Sequence, residues 1–197
     1  RFLRESSFQA DYFYFVLTYG FDQTGAPEFT AKLAAEAGVH VDYIASIQMV
    51  DNYLPVFDMD EQMSMNKHVE EQLSAAVRAV SRRERGIPEA TEEGRKLHAQ
   101  VSAMNRERPA FNDGSQITVQ DSCIGCGVCQ SVCPVDNFYL EGGKAKRKQS
   151  TCEFCLACAH NCPQKAIGLS IADKNPNARY RNPHISLQEI IDANRNP

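Results

Sequence analysis

Residues 123–134 read CIGCGVCQSVCP and residues 152–163 read CEFCLACAHNCP. Both are copies of C-x-x-C-x-x-C-x-x-x-C-P, and each Cys of the first copy recurs 29 residues later in the second. The likeness runs past the sulfurs, because Pro134 matches Pro163 and Leu140 matches Leu169. Two copies at this period describe a duplicated half-domain and are too few for a solenoid. The two-residue spacers let three thiolates converge on one face of a small metal core. Backbone amides of so tight a loop can then point at the sulfurs.

All eight Cys fall between Cys123 and Cys162. Disulfides would staple distant parts of the chain, whereas crowding at two-residue spacing suits a metal site in a reducing compartment. Structural zinc is the alternative, since four-Cys sites with such spacing bind it commonly. Zinc usually takes two C-x-x-C pairs separated by a finger or ribbon, and neither the further Cys nor the closing C-P follows from that geometry. The pattern therefore favours iron–sulfur ligation. His160 lies inside the second motif, but Cys already fills the ligand positions, so it is expected beside the ligands or exposed. Phe138–Leu140 and Lys144–Lys146 flank Gly142-Gly143 as a hairpin would. The cations Lys144, Lys146, Arg147 and Lys148 either stabilise added negative charge on the clusters or simply solvate that hairpin.

Upstream, residues 11–19 (DYFYFVLTY) form an apolar and aromatic run ending at Gly20, as a strand buried on both faces would. Residues 27–37 read as a helix with Phe29, Leu33 and Ala37 on one face, and Val39–Met49 as a second strand. From about Asp60 to Arg85, Val69, Leu73, Ala76, Val77 and Val80 recur at helical spacing. A further helix is expected over 87–104, with Leu97, Val101 and Met104 aligned. Strands alternating with helices imply parallel β/α units. Two strands are too few for such a sheet, so further strands are expected before Arg1, which is not a Met. Asn105–Gln116 reads as a linker. Ser186 with Glu189 forms a capping box before a terminal helix.

Residues 116–171 resemble the two-cluster bacterial ferredoxins, with both motifs complete. YFVLTYG, the helix after it and QMVDNYLPVFD resemble the last two β/α units of flavodoxin-like domains. Together they resemble the flavodoxin–ferredoxin fusion family. The implied fold is α/β, a partial flavodoxin-like parallel sheet with flanking helices, plus a small α+β ferredoxin domain with a pseudo-two-fold internal repeat. The implied division is 1–86 for the flavodoxin-like half, 87–115 for helix and linker, and 116–197 for the ferredoxin domain with its C-terminal helix.

In two-cluster ferredoxins the fourth Cys of each motif ligates the other cluster. The resemblance thus implies that Cys123, Cys126, Cys129 and Cys162 hold one [4Fe-4S] cluster and Cys152, Cys155, Cys158 and Cys133 the second. It also implies FMN at the carboxyl ends of the parallel strands, bordered by Tyr19, Gly20, Asn52 and Tyr53. Tyr53 either stacks on the flavin or packs its loop onto the sheet. The phosphate loop that follows a flavodoxin's first strand is absent from this chain, so FMN is expected only with a missing N-terminal part.

Single-electron transfer through the two clusters, to or from a flavin in the same or a partner protein, is the expected function. The alternative is an FMN-dependent oxidoreductase that uses the clusters as an internal wire. No nucleophile set, paired carboxylates or nucleotide loop marks a dedicated active site, so no catalytic residue is assigned. Redox partner proteins are expected. With 21 basic and 25 acidic residues and net charge −4, nothing points to nucleic acid. No stretch approaches the roughly 18 apolar residues of a membrane span, and a cytoplasmic protein is expected.

Overall fold

The computed structural model describes residues 2–107, 114–148 and 152–195. The chain forms two compact units. One holds the residues up to Asp51 together with Asn66–Met104, and the other holds Asn52–Met65 with the residues from Asn105 onward. This division differs from the expected one at two places, because Asn52–Met65 packs in the Cys-bearing unit and residues 87–104 pack with the first. Residues 108–113 of the expected linker lie outside the described residues.

In the first unit, after a short helix α1 (Phe2–Glu5), strand β1 (Tyr14–Tyr19) pairs in parallel with β2 (Tyr43–Gln48), Tyr14 opposite Tyr43 and Tyr19 opposite Gln48. Between them runs helix α2 (Ala26–Glu36). It stops where Gly38 takes φ +77 and Val39 N–H reaches back to Ala34 O (2.9 Å) and Gly38 N–H to Ala35 O (3.0 Å). Those two bonds satisfy carbonyls that a helix end leaves open. Ala34 of α2 packs on Val41 and Ile44, with Phe13, Phe15 and Leu17 around them. The buried line of α2 is thus not Phe29, Leu33 and Ala37. Phe29 turns instead to His98, ring centroids 4.5 Å apart.

The run at 11–19 is not buried on both faces. Phe15 and Leu17 face the core, while Tyr14 and Val16 alternate to the other side and are 45% and 44% exposed. The central strand is β2, whose Ile44 faces α2 and whose Ala45 and Ile47 pack on Ala76 of the next helix layer. Its far edge is covered by the chain at Gly86, where Ile44 N–H meets Gly86 O (3.0 Å).

The single helix expected over 60–85 is two, α3 (Met59–Ser64) and α4 (Val69–Ser81). Asn66 Oδ1 accepts the His68 amide (2.9 Å) and His68 sits at φ +51, a local side-chain turn that outcompetes the helix. On α4 the core side is Val69, Leu73 and Ala76, with Ala79 also buried, and Val77 points outward at 64% exposure. Helix α5 (Glu92–Glu107) is tied to α2 by Arg95, which grips Glu28 with two bonds (3.0 and 2.8 Å). Leu97, Val101 and Met104 do align, but on an exposed side.

The second unit is built on the repeat. Its elements are β3 (Ile117–Val119), α6 (Val128–Ser131), β4 (Phe138–Glu141), β5 (Lys144–Arg147), α7 (Ala157–His160), β6 (Ile167–Leu169) and α8 (Leu187–Arg195). β3 pairs antiparallel with β6, and β4 with β5 through a turn in which Gly142 and Gly143 both take positive φ. Helix α8 carries the capping box: Ser186 N–H and Oγ–H donate to Glu189 Oε2 (2.7 Å each), and Glu189 N–H returns a bond to Ser186 Oγ (3.2 Å). Leu54 and Met59, both fully buried, join Ile117, Phe138, Leu156 and Ile167 in one core. Lys174 N–H to Leu54 O (2.8 Å) and the Asn175 amide to both carboxylate oxygens of Asp58 (3.0 Å each) fasten that segment.

Candidate metal centre

The repeat is as clear in the backbone as in the residues. Gly125 and Gly127 take φ +67 and +79, and their counterparts Phe154 and Leu156 take +46 and +60. Asp136 and Lys165 both take +50. A left-handed conformation costs an L residue about 1–2 kcal/mol, so the spacing of the sulfurs imposes this loop even where no Gly relieves it. At Gly125 a Cβ would lie 2.3 Å from Gly143 O, so the close approach of the hairpin adds a second reason for Gly.

That loop aims amides at sulfur. Gly125 N–H approaches Cys123 Sγ (3.5 Å) and Phe154 N–H approaches Cys152 Sγ (3.3 Å). Asn137 N–H donates to Cys133 Sγ and Ala166 N–H to Cys162 Sγ, each at 3.2 Å. One further donor, Ala145 N–H of β5, reaches Cys123 Sγ (3.4 Å). These bonds hold the Cys123 thiol below its usual value, Ala145 contributing most.

Two hollows open among the sulfurs. Cys123, Cys126, Cys129 and Cys162 border the first, with Ile124, Val128 and Ile167 in its wall. Cys133, Cys152, Cys155 and Cys158 border the second, with Val135, Phe138 and Leu156 in its wall. Each hollow therefore joins three Cys of one motif to the last Cys of the other. Cys129 and Cys158 are buried, Cys126 and Cys155 exposed. Burial pushes the Cys129 thiol up to about 11 and the Cys158 thiol further. Such thiols give up their protons when a metal takes the sulfur, so occupancy of the site and its folding are coupled.

The donor set fits [4Fe-4S] clusters: four sulfurs per hollow, apolar walls, and amide dipoles directed at ligand sulfur.

His160 is buried and bonds to no sulfur. Tyr180 N–H donates to its Nδ1 (3.1 Å), so Nε2 carries the proton and donates to Asn52 O (2.9 Å). Burial lowers its pKa from the ordinary value, keeping the ring neutral. Lys144 Nζ donates to Asp121 O and Cys123 O (2.7 Å each), clamping the first motif's loop. Lys148 pairs with Asp136. The sequence offered no signal for the ties made by His160 and Lys144, because both run to backbone carbonyls.

Of the residues expected at FMN, Tyr19 and Gly20 end β1 in the first unit, where Gln48 Nε2 donates to Gly20 O (3.1 Å). Asn52 and Tyr53 belong to the second unit. Tyr53 meets the ring of Phe154 edge-on, centroids 6.2 Å apart, and burial raises its phenol pKa.

Comparison with known proteins agrees with this chemistry. Residues 115–163 match the family model of the 4Fe-4S dicluster domain. A ferredoxin of Thermococcus litoralis is 45% identical over 51 residues, 24% of this chain and 85% of its own length. A ferredoxin of Methanothermococcus thermolithotrophicus is 38% identical over 50 residues, 24% of this chain and 83% of its own. One component of an ion-translocating oxidoreductase complex from Methanosarcina acetivorans is 43% identical over 47 residues, 24% of this chain but only 18% of that protein. No solved structure matches significantly. Through its duplicated Cys module the chain belongs to the ferredoxins, and it is a ferredoxin-type electron carrier that binds 4Fe-4S clusters.

Proposed function

We propose that Cys123, Cys126, Cys129 and Cys162 hold one [4Fe-4S] cluster and Cys152, Cys155, Cys158 and Cys133 a second, and that the chain exchanges single electrons with redox partner proteins. The observation that carries this reading is the gathering of each four-Cys set around its own hollow. Bound clusters of this type supply reversible one-electron chemistry.

The chain's own residues do the remainder. Amides of Gly125, Ala145 and Ala166 at the first set, and of Phe154 and Asn137 at the second, direct partial positive charge at sulfur and so favour added negative charge. Val128, Ile167, Phe138 and Leu156 line the hollows with apolar surface. Exposed Cys126 and Cys155 bring one ligand of each set to the surface, where a partner can approach.

A flavin donor or acceptor, with FMN as its cofactor, remains part of the reading. Its support is the parallel β1–β2 pair joined by α2, whose carboxyl ends carry Tyr19 and Gly20. Asn52 and Tyr53 contribute to the cluster unit through His160 and Phe154. Use of the clusters as the internal wire of a flavin enzyme is the second reading, resting on the same strand pair.

Anaerobic reconstitution followed by stoichiometric reduction tests the proposal. The visible absorbance should bleach with two electrons per chain and return as a one-electron acceptor protein is consumed. A chain that takes up no electrons contradicts it.

A further inference from the structure

The internal repeat supplies its own control, since every residue around the first hollow except Ala145 has a counterpart 29 positions away around the second. Four amide–sulfur bonds are matched in pairs, Gly125 with Phe154 and Asn137 with Ala166. The fifth is not. Ala145 N–H donates to Cys123 Sγ (3.4 Å), but its counterpart Lys174 N–H donates to Leu54 O (2.8 Å). The inserted segment Asn52–Met65 has taken the donor that the repeat would have offered to Cys152.

Each set has a cation beside it, Lys144 at the first and Arg147 at the second, where Arg147 Nη2 and Cys152 Sγ both come within 2.9 Å of the place a Cβ on Gly114 would take. Lys144, whose ammonium lies on the carbonyls of Asp121 and Cys123, corresponds to Asp173, which Arg179 neutralises through a buried ion pair (2.8 Å). Ile124 borders the first hollow, and at the equivalent place the exposed carboxylate of Glu153 borders the second. Hydrogen bonds to sulfur and local charge are the protein's means of setting an iron–sulfur potential. Here the added donor favours reduction at the first site, and the added anion opposes it at the second, with one cation beside each.

We propose that the two sites are inequivalent, the site of Cys123, Cys126, Cys129 and Cys162 having the higher reduction potential, so that the first electron taken up resides there. In that step an external donor loses one electron and the first site gains it, with no bond made or broken. Ala145, Glu153 and Leu54 are the residues that set the order. This rests on the ligand sets proposed above.

Two nearby sites give two macroscopic midpoints even when identical, so the number of midpoints does not decide the matter. What decides it is which midpoint a local substitution moves. The full-length holoprotein is titrated potentiometrically with electron paramagnetic resonance as the readout, in wild-type, Glu153→Gln and Lys144→Gln forms. Glu153→Gln should raise the lower midpoint and leave the upper one in place, and Lys144→Gln should lower the upper one. Movement of the upper midpoint by Glu153→Gln, or of the lower by Lys144→Gln, overturns the proposal. So does an absence of movement in both variants. Failure of the ligand assignment itself shows differently, as wild-type protein with too little iron and no reducible signal.

Discussion

Truncating Leu54 probes the reach of the cluster unit into a segment far upstream of its Cys motifs. Leu54 is fully buried, packed in the core that includes Phe138, Leu156 and Ile167. Its carbonyl is pinned by Lys174 N–H at 2.8 Å, so the backbone has little freedom to close a void. Leu→Ala at such a site costs about 3–4 kcal/mol. Val56, two residues on and 54% exposed, is the control, where Ala should change stability by less than about 0.5 kcal/mol. Iron leaves on unfolding, which makes the loss irreversible, so the measurement is the rate of bleaching of anaerobic holoprotein in fixed guanidinium. If even half of the penalty falls on the unfolding barrier, Leu54→Ala bleaches at least about tenfold faster than wild type. Equal rates for Leu54→Ala, Val56→Ala and wild type would refute the reasoning, since the segment would then lie outside the unit that holds the sulfurs.

Gly125→Ala should lower iron occupancy after reconstitution, because its Cβ meets Gly143 O at 2.3 Å and shifts the hairpin that carries Ala145 to Cys123; unchanged iron content counts against the loop geometry. Cys133→Ala should halve the iron, and adding Cys152→Ala should remove no more, whereas adding Cys123→Ala should remove the rest. The reverse result would dismantle the crossed sets. At Glu28, the hydrogen bond from Arg95, with one from the Ala90 amide, holds the carboxyl below its ordinary pKa of 4.5. The folded value being the lower one, this tie is complete above about pH 4.5 and is lost as pH falls through the folded value. Amide protection in the first turns of α5 should therefore drop with acidification, and Glu28→Gln should erase that pH dependence.

The Cys repeat was legible because its chemistry is written in spacing alone, and the turn at Gly142-Gly143 and the capping box at Ser186 and Glu189 follow from local rules of the same kind. The left-handed residues Phe154 and Leu156 were not legible: nothing in their side chains favours positive φ, and only comparison with Gly125 and Gly127 across the repeat reveals the demand. Asn52–Met65 misled for another reason. The resemblance of QMVDNYLPVFD to a flavodoxin-like unit assigned it to the upstream half, whereas Leu54 and Met59 enter the core of the Cys-bearing unit and the Asn66–His68 turn cuts the expected helix behind them. The exposure of Tyr14 and Val16 likewise depends on which helices cover the sheet, a property of tertiary arrangement that an apolar run does not encode.

Iron and acid-labile sulfide, measured together on anaerobically reconstituted full-length protein, bear most directly on the central claim. Two complete four-Cys sets around two hollows predict about eight iron and eight sulfide per chain, from two clusters of four each. Zinc in place of iron, with no sulfide, would contradict the account.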